Sequence, residues 1–348
     1  MLYVNYIELY FCFLLKYFII GDINLFMYSR LEIKGMGLVE PIYIYTYGCS
    51  SEDEPLCKME FRALFNLNPD DYVFKSREKV EPSRSPFLRE RIEVLIEGDS
   101  LEEIYQKAGT LSFSNRSFKT IFVKTNDLQD KVTFSKRREI ERAVGLKITG
   151  NPDLEQPDIV LGIVACSGKW YVGIYTKNEA VWLHNQKKPR EYSTALSTRM
   201  ARAVVNIAVP NPDGIKAIDP CCGIGTVLVE ALSMGIDIVG RDIKPLPAVG
   251  ARENVAYFGY SCEVKIGAIE EITDQYDVAI VDLPYNLCHT ASPEEQLSIL
   301  KHANRIADRV VVVTGEPIDE MMKEAGFIIR DRCEAKKIGF TREILLCY

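Results

Sequence analysis

Three stretches of the chain combine a short apolar run with loop-forming or acidic residues. They are 217–227 (AIDPCCGIGTV), 238–242 (IVGRD) and 278–285 (VAIVDLPY). A short apolar run is typical of a strand buried on both faces of a parallel sheet, and ligands bind beyond the carboxyl ends of such strands. The polar residues of the three stretches would therefore meet at one edge of an α/β sheet and form a nucleotide-type site.

The first stretch predicts a glycine-rich turn that leads into a helix. Gly223 and Gly225 precede the mostly apolar run 227–231, so backbone amides at a helix N-terminus could face a ligand carboxylate or phosphate. Asp242 lies 242 − 223 = 19 residues further on, where an acidic side chain can accept both hydroxyls of a ribose. Leu228 stands where a dinucleotide-binding loop would have its third glycine, which disfavours a pyrophosphate. The spacing favours an adenosine-containing ligand.

The third stretch places chemically useful groups just past a predicted strand end. Asp282, the backbone carbonyl of Leu283, the rigid Pro284 and the aromatic Tyr285 follow the apolar run 278–281. In an open parallel sheet, ligands bind at this edge.

These motifs resemble those of a known family. DPCCGIGT and DLPY resemble the two signature motifs of class I S-adenosylmethionine-dependent amino-methyltransferases, whose acceptor motif is Asp/Asn/Ser-Pro-Pro-aromatic. With KPREYSTALSTRMARAVVNIA from Lys188, the chain from about Pro41 onward resembles the THUMP-domain tRNA guanine-N2 methyltransferases. The resemblance implies an α/β fold in which a Rossmann-like class I methyltransferase domain follows an α+β, THUMP-containing RNA-binding module. It also implies S-adenosyl-L-methionine as cofactor and RNA, in particular tRNA, as partner.

The resemblance assigns roles to individual residues. The catalytic residues that it implies are Asp282, Leu283, Pro284 and Tyr285, and the cofactor-binding residues are Asp219, Cys221, Gly223, Gly225, Thr226, Asp242, Ile243 and Ala268. The chain departs from the family pattern twice. No acid follows the third core strand until Glu270, and Leu283 replaces a commoner proline, which keeps the backbone carbonyl but costs rigidity.

Several functions are compatible with these motifs. The leading interpretation is methylation of the N2 amine of a guanosine in tRNA. The same motif could serve an N6-adenine or ribosomal-RNA guanine-N2 methyltransferase, and the missing acid leaves open an RNA-binding protein with a degenerate methyltransferase fold. A covalent cytosine-C5 reaction is disfavoured, because Cys221 and Cys222 fit as small residues packed in a tight turn and Cys288 lacks the Pro-Cys context of that chemistry.

Patterns along the chain predict its division into domains. Residues 1–36 are expected to be a non-native or disordered extension, 37–110 a ferredoxin-like α+β module, 111–185 a THUMP-like RNA-binding domain, 186–196 a linker and 197–348 the methyltransferase domain. Within the THUMP-like domain 111–185, residues 135–144 predict a helix with Ser135 as its N-cap, and strands flank a hairpin turn at Ser167-Gly168.

Charge is distributed unevenly between these parts. The net charge is −7; residues 213–348 hold 22 acidic and 14 basic side chains, or −8, so the remainder carries +1. Residues 131–150 have a local charge of +4, from six basic and two acidic side chains. A run of this kind is often only a solvated helix face, but the family resemblance favours RNA phosphates as its partner. The residues expected to bind RNA are Lys136, Arg137, Arg138 and Arg142.

The cysteines and histidines do not form a metal-binding pattern. The ten cysteines include no CxxC pair, and the three histidines are dispersed, which predicts a reduced, cytoplasmic, metal-free protein.

The longest apolar run near the start is far shorter than the roughly 20 residues of a membrane span. We expect no membrane association and a monomer.

Overall fold

The computed structural model describes residues 40–125, 132–192, 195–284, 291–337 and 340–348. The predicted extension 1–36 and the residues Tyr285 and Cys288 lie outside these ranges. The described chain forms two sheets, each with its own helices.

The first sheet contains seven strands in the order β2-β1-β3-β7-β6-β4-β5. These strands are β1 (Tyr43–Tyr47), β2 (Val73–Ser76), β3 (Leu88–Gly98), β4 (Ser112–Phe122), β5 (Thr149–Pro152), β6 (Ile159–Cys166) and β7 (Lys169–Lys177). Its helices are α1 (Glu54–Phe65), α2 (Leu101–Ala108) and α3 (Phe134–Gly145). Because β3 pairs with β7, the sheet is continuous across position 110, where the sequence pattern suggested a division.

In the first part, the sequence predicts the hairpin turn correctly but not the first residues of helix α3. Ser167 and Gly168 have φ angles of 52° and 73° and form the expected tight hairpin between β6 and β7. The N-cap prediction for α3 is wrong, since Thr133 is the cap and its hydroxyl accepts a hydrogen bond from Lys136 N at 3.3 Å. Ser135 lies inside the first turn because the backbone becomes helical one residue earlier than the apolar pattern indicates.

The second sheet also contains seven strands, in the order β10-β9-β8-β11-β12-β14-β13. They are β8 (Lys216–Asp219), β9 (Asp237–Asp242), β10 (Val264–Ile266), β11 (Tyr276–Asp282), β12 (Ala307–Thr314), β13 (Ile329–Lys337) and β14 (Phe340–Cys347). The helices are α4 (Thr198–Ala208), α5 (Thr226–Ser233), α6 (Pro245–Tyr257), α7 (Pro293–Ile306) and α8 (Asp319–Glu324). Strand β14 is antiparallel to both neighbours, and the strands from β10 to β12 are parallel.

The topology of the second sheet determines where a ligand can bind. From β8 the chain moves outward through β9 and β10, then crosses to β11 on the other side of β8. A crevice opens at such a switch point, beyond the carboxyl ends of the central strands. The loops after β8, β9 and β11 therefore converge on one place.

A buried polar network joins the two parts of the chain. Arg202 on α4 donates to Glu230 on α5 and to the backbone carbonyls of Ser83 and Arg84 in the first part, over distances of 2.7 to 2.8 Å. The side chains of the ion pair are 2% and 0% exposed. Helix α1 packs against α4 and β13 beside this network. The orientation of the first part relative to the second thus depends on paired buried charges.

Candidate active site

The loop after β8 is fixed by its own backbone hydrogen bonds. Cys222 N donates to the carbonyl of Arg241 on β9 at 2.9 Å, and Gly225 N donates back to the carbonyl of Cys222 at 2.7 Å. Gly225 has φ +77°, and a Cβ there would lie 3.0 Å from the Cβ of Ala251 on α6. Only glycine allows this left-handed turn and the close approach of α6.

Asp242 is held rigidly at the end of β9. Its Oδ2 accepts from Gly223 N and its Oδ1 from Lys244 N, both at 2.8 Å. The carboxylate is 9% exposed, and the remaining lone pairs of its two oxygens are available to hydroxyl groups of a ligand. The Gly223 N–H already donates to Asp242. The N–H groups in the first turn of α5 are therefore the ones suited to binding an anionic group of a ligand.

Asp219 is a buried carboxyl group at the end of β8. Burial raises its pKa well above the usual range; the N–H of Cys221, 3.1 Å from Oδ1, opposes the shift, while the charges of Asp282 and Asp242 add to it. A cation placed beside Asp219 would stabilise its ionised form. The site is therefore electrostatically prepared for a positively charged group.

The loop after β11 is anchored by Leu283. Its N–H donates to the carbonyl of Val313 on β12 at 3.0 Å, and its side chain is 1% exposed in the core between the sheet and α7. A proline at this position would have no N–H to donate. The expected loss of rigidity is therefore offset by a backbone hydrogen bond that a proline could not donate. Pro284 follows, with Gln296 Nε2 3.5 Å from its carbonyl oxygen.

These loops surround one cavity of about 750 Å³. It extends from the glycine loop and the end of β9 to the Asp282 loop and the first turns of α7. Ten of the predicted site residues line it: Asp219, Cys221, Gly223, Thr226, Asp242, Ile243, Ala268, Asp282, Leu283 and Pro284. Ile243 is 65% exposed and presents an apolar surface at the rim. The sequence motifs thus converge on a space large enough for a nucleoside-sized ligand.

The remaining predicted residues are not among the cavity lining. Gly225 contacts α6 and gives the loop its shape. Tyr285 lies outside the described residues. The four basic residues predicted to contact RNA lie on α3, beside the first sheet.

The surface of α3 combines positive charge with an exposed aromatic ring. Lys136 and Arg138 each pair with the glutamate three residues later, at 2.8 Å, while Arg142 lies further along the helix. Phe134 is 67% exposed, with the guanidinium groups of Arg137 and Arg138 5.8 and 5.6 Å from its ring centre. The internal ion pairs reduce the net charge that the helix presents to a polyanion.

The structure adds one residue that lines the cavity, Tyr192, and one that contacts a lining residue, Lys188. Lys188 Nζ donates to the hydroxyl of Thr226 at 2.8 Å, and burial lowers the pKa of this lysine against the opposing charges of Glu230 and Glu191. Tyr192 contributes directly to the cavity lining. No spacing rule marks either residue, but both lie in KPREY, the beginning of the stretch from Lys188 that carries the family resemblance, within the predicted linker.

The linker is also tied to the glycine loop by a buried side chain. Asn254 on α6 accepts from Arg190 N at 2.9 Å and donates to the carbonyls of Arg190 and Ile224 at 3.0 and 2.9 Å. The segment that connects the two parts of the chain therefore forms a wall of the cavity.

Acidic residues also contribute to the lining on the α7 side. Glu270 lies in the 3₁₀ turn after β10 and accepts from Ser298 Oγ on α7 at 2.8 Å. Glu294, in the first turn of α7, lines the cavity as well. Glu270 follows the third strand of this part, β10, and lines the cavity two residues beyond Ala268.

The cysteines in and near the site are unsuited to nucleophilic catalysis. Burial raises the pKa of the Cys221 thiol well above its usual range, and neighbouring carboxylates raise it further.

The described residues contain no group of three or more histidine, cysteine, aspartate or glutamate side chains that could hold a metal ion. Among the same residues, no helix is both long and apolar enough to span a bilayer.

The fold and the site together define a class of protein. Numbered by themselves, the strands of the second sheet have the order 3-2-1-4-5-7-6, with the last strand in sequence antiparallel to its neighbours. A glycine loop follows strand 1, a carboxylate ends strand 2 and an acidic acceptor loop follows strand 4. This arrangement is the Rossmann-like class I methyltransferase fold.

Comparison with known proteins agrees with this class. Residues 185–315 match the UPF0020 family model, described as RMKL-like, methyltransferase domain. The matched range extends from the segment before α4 to β12, so this part of the chain is similar to a methyltransferase domain.

Individual relatives are similar to larger parts of the chain. It is 27% identical over 219 residues to a tRNA (guanine(10)-N2)-dimethyltransferase of Methanothermobacter thermautotrophicus, covering 56% of this chain and 63% of that protein. A tRNA (guanine(6)-N2)-methyltransferase of Archaeoglobus fulgidus is 24% identical over 295 residues, covering 70% of this chain and 74% of that protein. The crystal structure of TrmN from Thermus thermophilus aligns with a TM-score of 0.45 and 17% identity, covering 88% of this chain and 99% of the other. The chain spans less than two thirds of the length of the dimethyltransferases that it matches.

Proposed function

We propose that this protein is an S-adenosyl-L-methionine-dependent methyltransferase that modifies the N2 amine of a guanosine in tRNA, acting as a cytoplasmic monomer. The observation that carries the proposal is the single cavity shared by Asp219, Asp242 and the Asp282 loop. The methyltransferase family model and the relatives named as tRNA guanine-N2 methyltransferases support the choice of reaction and substrate.

The glycine-loop end of the cavity suits each part of the cofactor. The amides at the start of α5, together with the Thr226 hydroxyl, would bind the methionine carboxylate, and Asp219 would hold the ammonium group. Asp242 would accept the ribose hydroxyls. Ile243 and Ala268 would contact the adenine faces, and Glu270 would accept an N–H of the adenine amine. When bound, the cofactor supplies an electrophilic methyl group on a sulfonium.

The acceptor end of the cavity would position the amine for in-line attack. Asp282 and the Leu283 carbonyl would accept the two N–H groups of the amine, which directs its lone pair toward the methyl group. Tyr285 would stack on the base. The amine would gain positive charge as it takes the methyl group from the sulfonium and the methyl–sulfur bond breaks. Asp282 would stabilise that charge and accept the proton that leaves the amine.

The first part of the chain would hold the RNA. We propose that residues 111–185 act as a THUMP-like RNA-binding domain within the continuous first sheet, beside the module 37–110. Arg137 and Arg142, together with the paired Lys136 and Arg138, would contact phosphates. Such contacts predict binding that weakens as the salt concentration rises.

The first experiment is transfer of labelled methyl groups to total tRNA and, separately, to ribosomal RNA, followed by nucleoside analysis. Full-length protein should produce N2-methylguanosine in tRNA, and Asp282→Asn should reduce the rate by about 100-fold or more because it removes an anionic acceptor. Asp274→Asn, an exposed change just before β11, is the matched control and should retain the wild-type rate.

The other outcomes separate the alternatives. Label in N6-methyladenosine or only in ribosomal RNA would transfer the assignment to those substrates. No label in any RNA, with no cofactor binding by calorimetry, would instead indicate an RNA-binding protein with a degenerate methyltransferase fold.

A further inference from the structure

The acceptor end of the cavity carries more negative charge than Asp282 alone provides. The first turn of α7 lies beside the acceptor loop, since Gln296 Nε2 is 3.5 Å from the carbonyl oxygen of Pro284. Two consecutive glutamates of that turn, Glu294 and Glu295, line the same cavity as Asp282. Carboxylates from two separate elements therefore face the space where the base would sit.

The two glutamates have different structural tasks. Glu295 forms a capping box with Ser292: Ser292 N donates to Glu295 Oε2 at 2.8 Å, and Glu295 N donates to Ser292 Oγ at 3.3 Å. Glu294 is outside this reciprocal pair, and its side chain is exposed. Its own backbone N–H and the Ser292 hydroxyl lower the pKa of Glu294, so it is ionised at neutral pH. The helix start thus presents a carboxylate that the capping box does not use.

A second carboxylate can distinguish two bases that Asp282 cannot. Guanine presents an N1–H donor next to its N2 amine, whereas adenine presents an N1 lone pair next to its N6 amine. Asp282 can accept an N–H from either amine. A carboxylate beside it would accept the guanine N1–H but would repel the adenine lone pair. Enzymes that extract a base read its Watson–Crick edge in this way.

We propose that Glu294 accepts the N1–H of the target guanine and selects guanine over adenine. The assignment rests on the proposed function, and it supplies the discrimination that the Asp-Leu-Pro motif leaves open. A site that pairs with a substrate N–H rejects an analogue without it, by about 10- to 100-fold at a solvent-accessible carboxylate.

The test uses two substrates that both carry the 2-amine. Transcripts of a tRNA methylated by the wild-type protein contain either guanine or 2-aminopurine at the methylated position; 2-aminopurine keeps the amine but has a lone pair at N1. The ratio of kcat/KM for the two substrates is measured for full-length wild type, Glu294→Gln and Glu295→Gln. The ratio cancels effects of a substitution that are common to both substrates.

Wild type should prefer guanine by about 10- to 100-fold. Glu294→Gln should narrow this preference at least tenfold, because the glutamine amide can donate to the N1 lone pair of 2-aminopurine. Glu295→Gln should keep the wild-type preference, although its weakened capping box lowers the melting temperature. Glu294→Ala should reduce the rate on guanine and raise the rate on 2-aminopurine, because it removes both the acceptor for N1–H and the charge that repels the N1 lone pair.

An unchanged preference in Glu294→Gln, with wild-type affinity for S-adenosylhomocysteine, would overturn the role of Glu294 and leave the proposed function intact. Equal losses on both substrates in Glu294→Ala would do the same, because they would indicate a structural role. If the wild type methylates adenine, or no RNA at all, the proposed function fails and the Glu294 assignment fails with it.

Discussion

Replacing Arg202 with methionine should destabilise the protein by about 3–5 kcal/mol, because it leaves a buried carboxylate uncompensated. The guanidinium donates to Glu230 Oε2 at 2.7 Å, and the glutamate side chain is 0% exposed. Without Arg202, the carboxylate keeps the amide of Asn185 at 2.8 Å but loses its charge partner. The carbonyls of Ser83 and Arg84 lose their guanidinium donor as well, which places the expected loss toward the upper end of this range.

The measurement is urea denaturation at pH 7.5 and 25 °C, followed by tryptophan fluorescence. Arg332→Met is the matched control because Arg332 is 44% exposed and pairs with Asp319 and Glu343 on the surface. Its removal should cost no more than about 1 kcal/mol. The double variant Arg202→Met/Glu230→Gln should recover part of the lost stability, since it removes the unpaired charge.

Two results would refute this reasoning. If Arg202→Met cost no more than Arg332→Met, the buried network would contribute little to stability. If the double variant were less stable than Arg202→Met alone, the loss would come from missing packing and not from the uncompensated charge of Glu230.

Three further predictions concern other positions. Burial raises the pKa of Glu60 from 4.5 to about 7, so its stabilising contribution is complete below pH 4.5 and is lost as the pH rises through 7. Urea denaturation between pH 4.5 and 8 should show a fall in unfolding free energy larger by about 3 kcal/mol for wild type than for Glu60→Gln, and parallel curves would contradict this. Gly225→Ala should cost about 1–3 kcal/mol in thermal unfolding, because of its φ of +77° and the 3.0 Å contact with Ala251; an unchanged melting temperature would exclude that strain. Lys188→Met should raise the KM for the cofactor about tenfold with little change in kcat, because Thr226 loses its charged donor. Lys187→Met, at the exposed neighbouring position, should leave KM unchanged, and equal effects of the two substitutions would argue against a specific role for Lys188.

Much of the second part could be predicted from sequence because the signals there are local. The apolar runs that end at Asp219, Asp242 and Asp282 are strands β8, β9 and β11, and each aspartate lies at a carboxyl end. Parallel strands read as continuous apolar runs, so three such runs place their terminal residues at one edge before any coordinate is known. The glycine loop could also be predicted from local sequence, because Gly223 and Gly225 both adopt positive φ, a conformation that glycine tolerates best.

Helix boundaries, very short strands and the pairing of distant strands were harder to predict from the sequence. Thr133 and Ser135 are both good helix caps, and only the backbone path selects Thr133. The short strand β2 gives no sequence signal, because Val73–Ser76 is too brief to show a period. The continuity of the first sheet across position 110 depends on pairing of β3 with β7, whose residues are far apart in sequence.

The sequence by itself predicted the class of fold, the three aspartates at strand ends and, through the family resemblance, their chemistry, because apolar runs, turn glycines and short motifs are local signals. Only the tertiary structure shows that Lys188 donates to Thr226 and that Glu294 lines the same cavity as Asp282. It also shows that a buried ion pair lies between the two parts of the chain. Such contacts join residues tens of positions apart, and no local preference encodes them. They exist because packing of helices onto the sheets brings side chains within hydrogen-bonding distance, where burial makes an unpaired polar group costly.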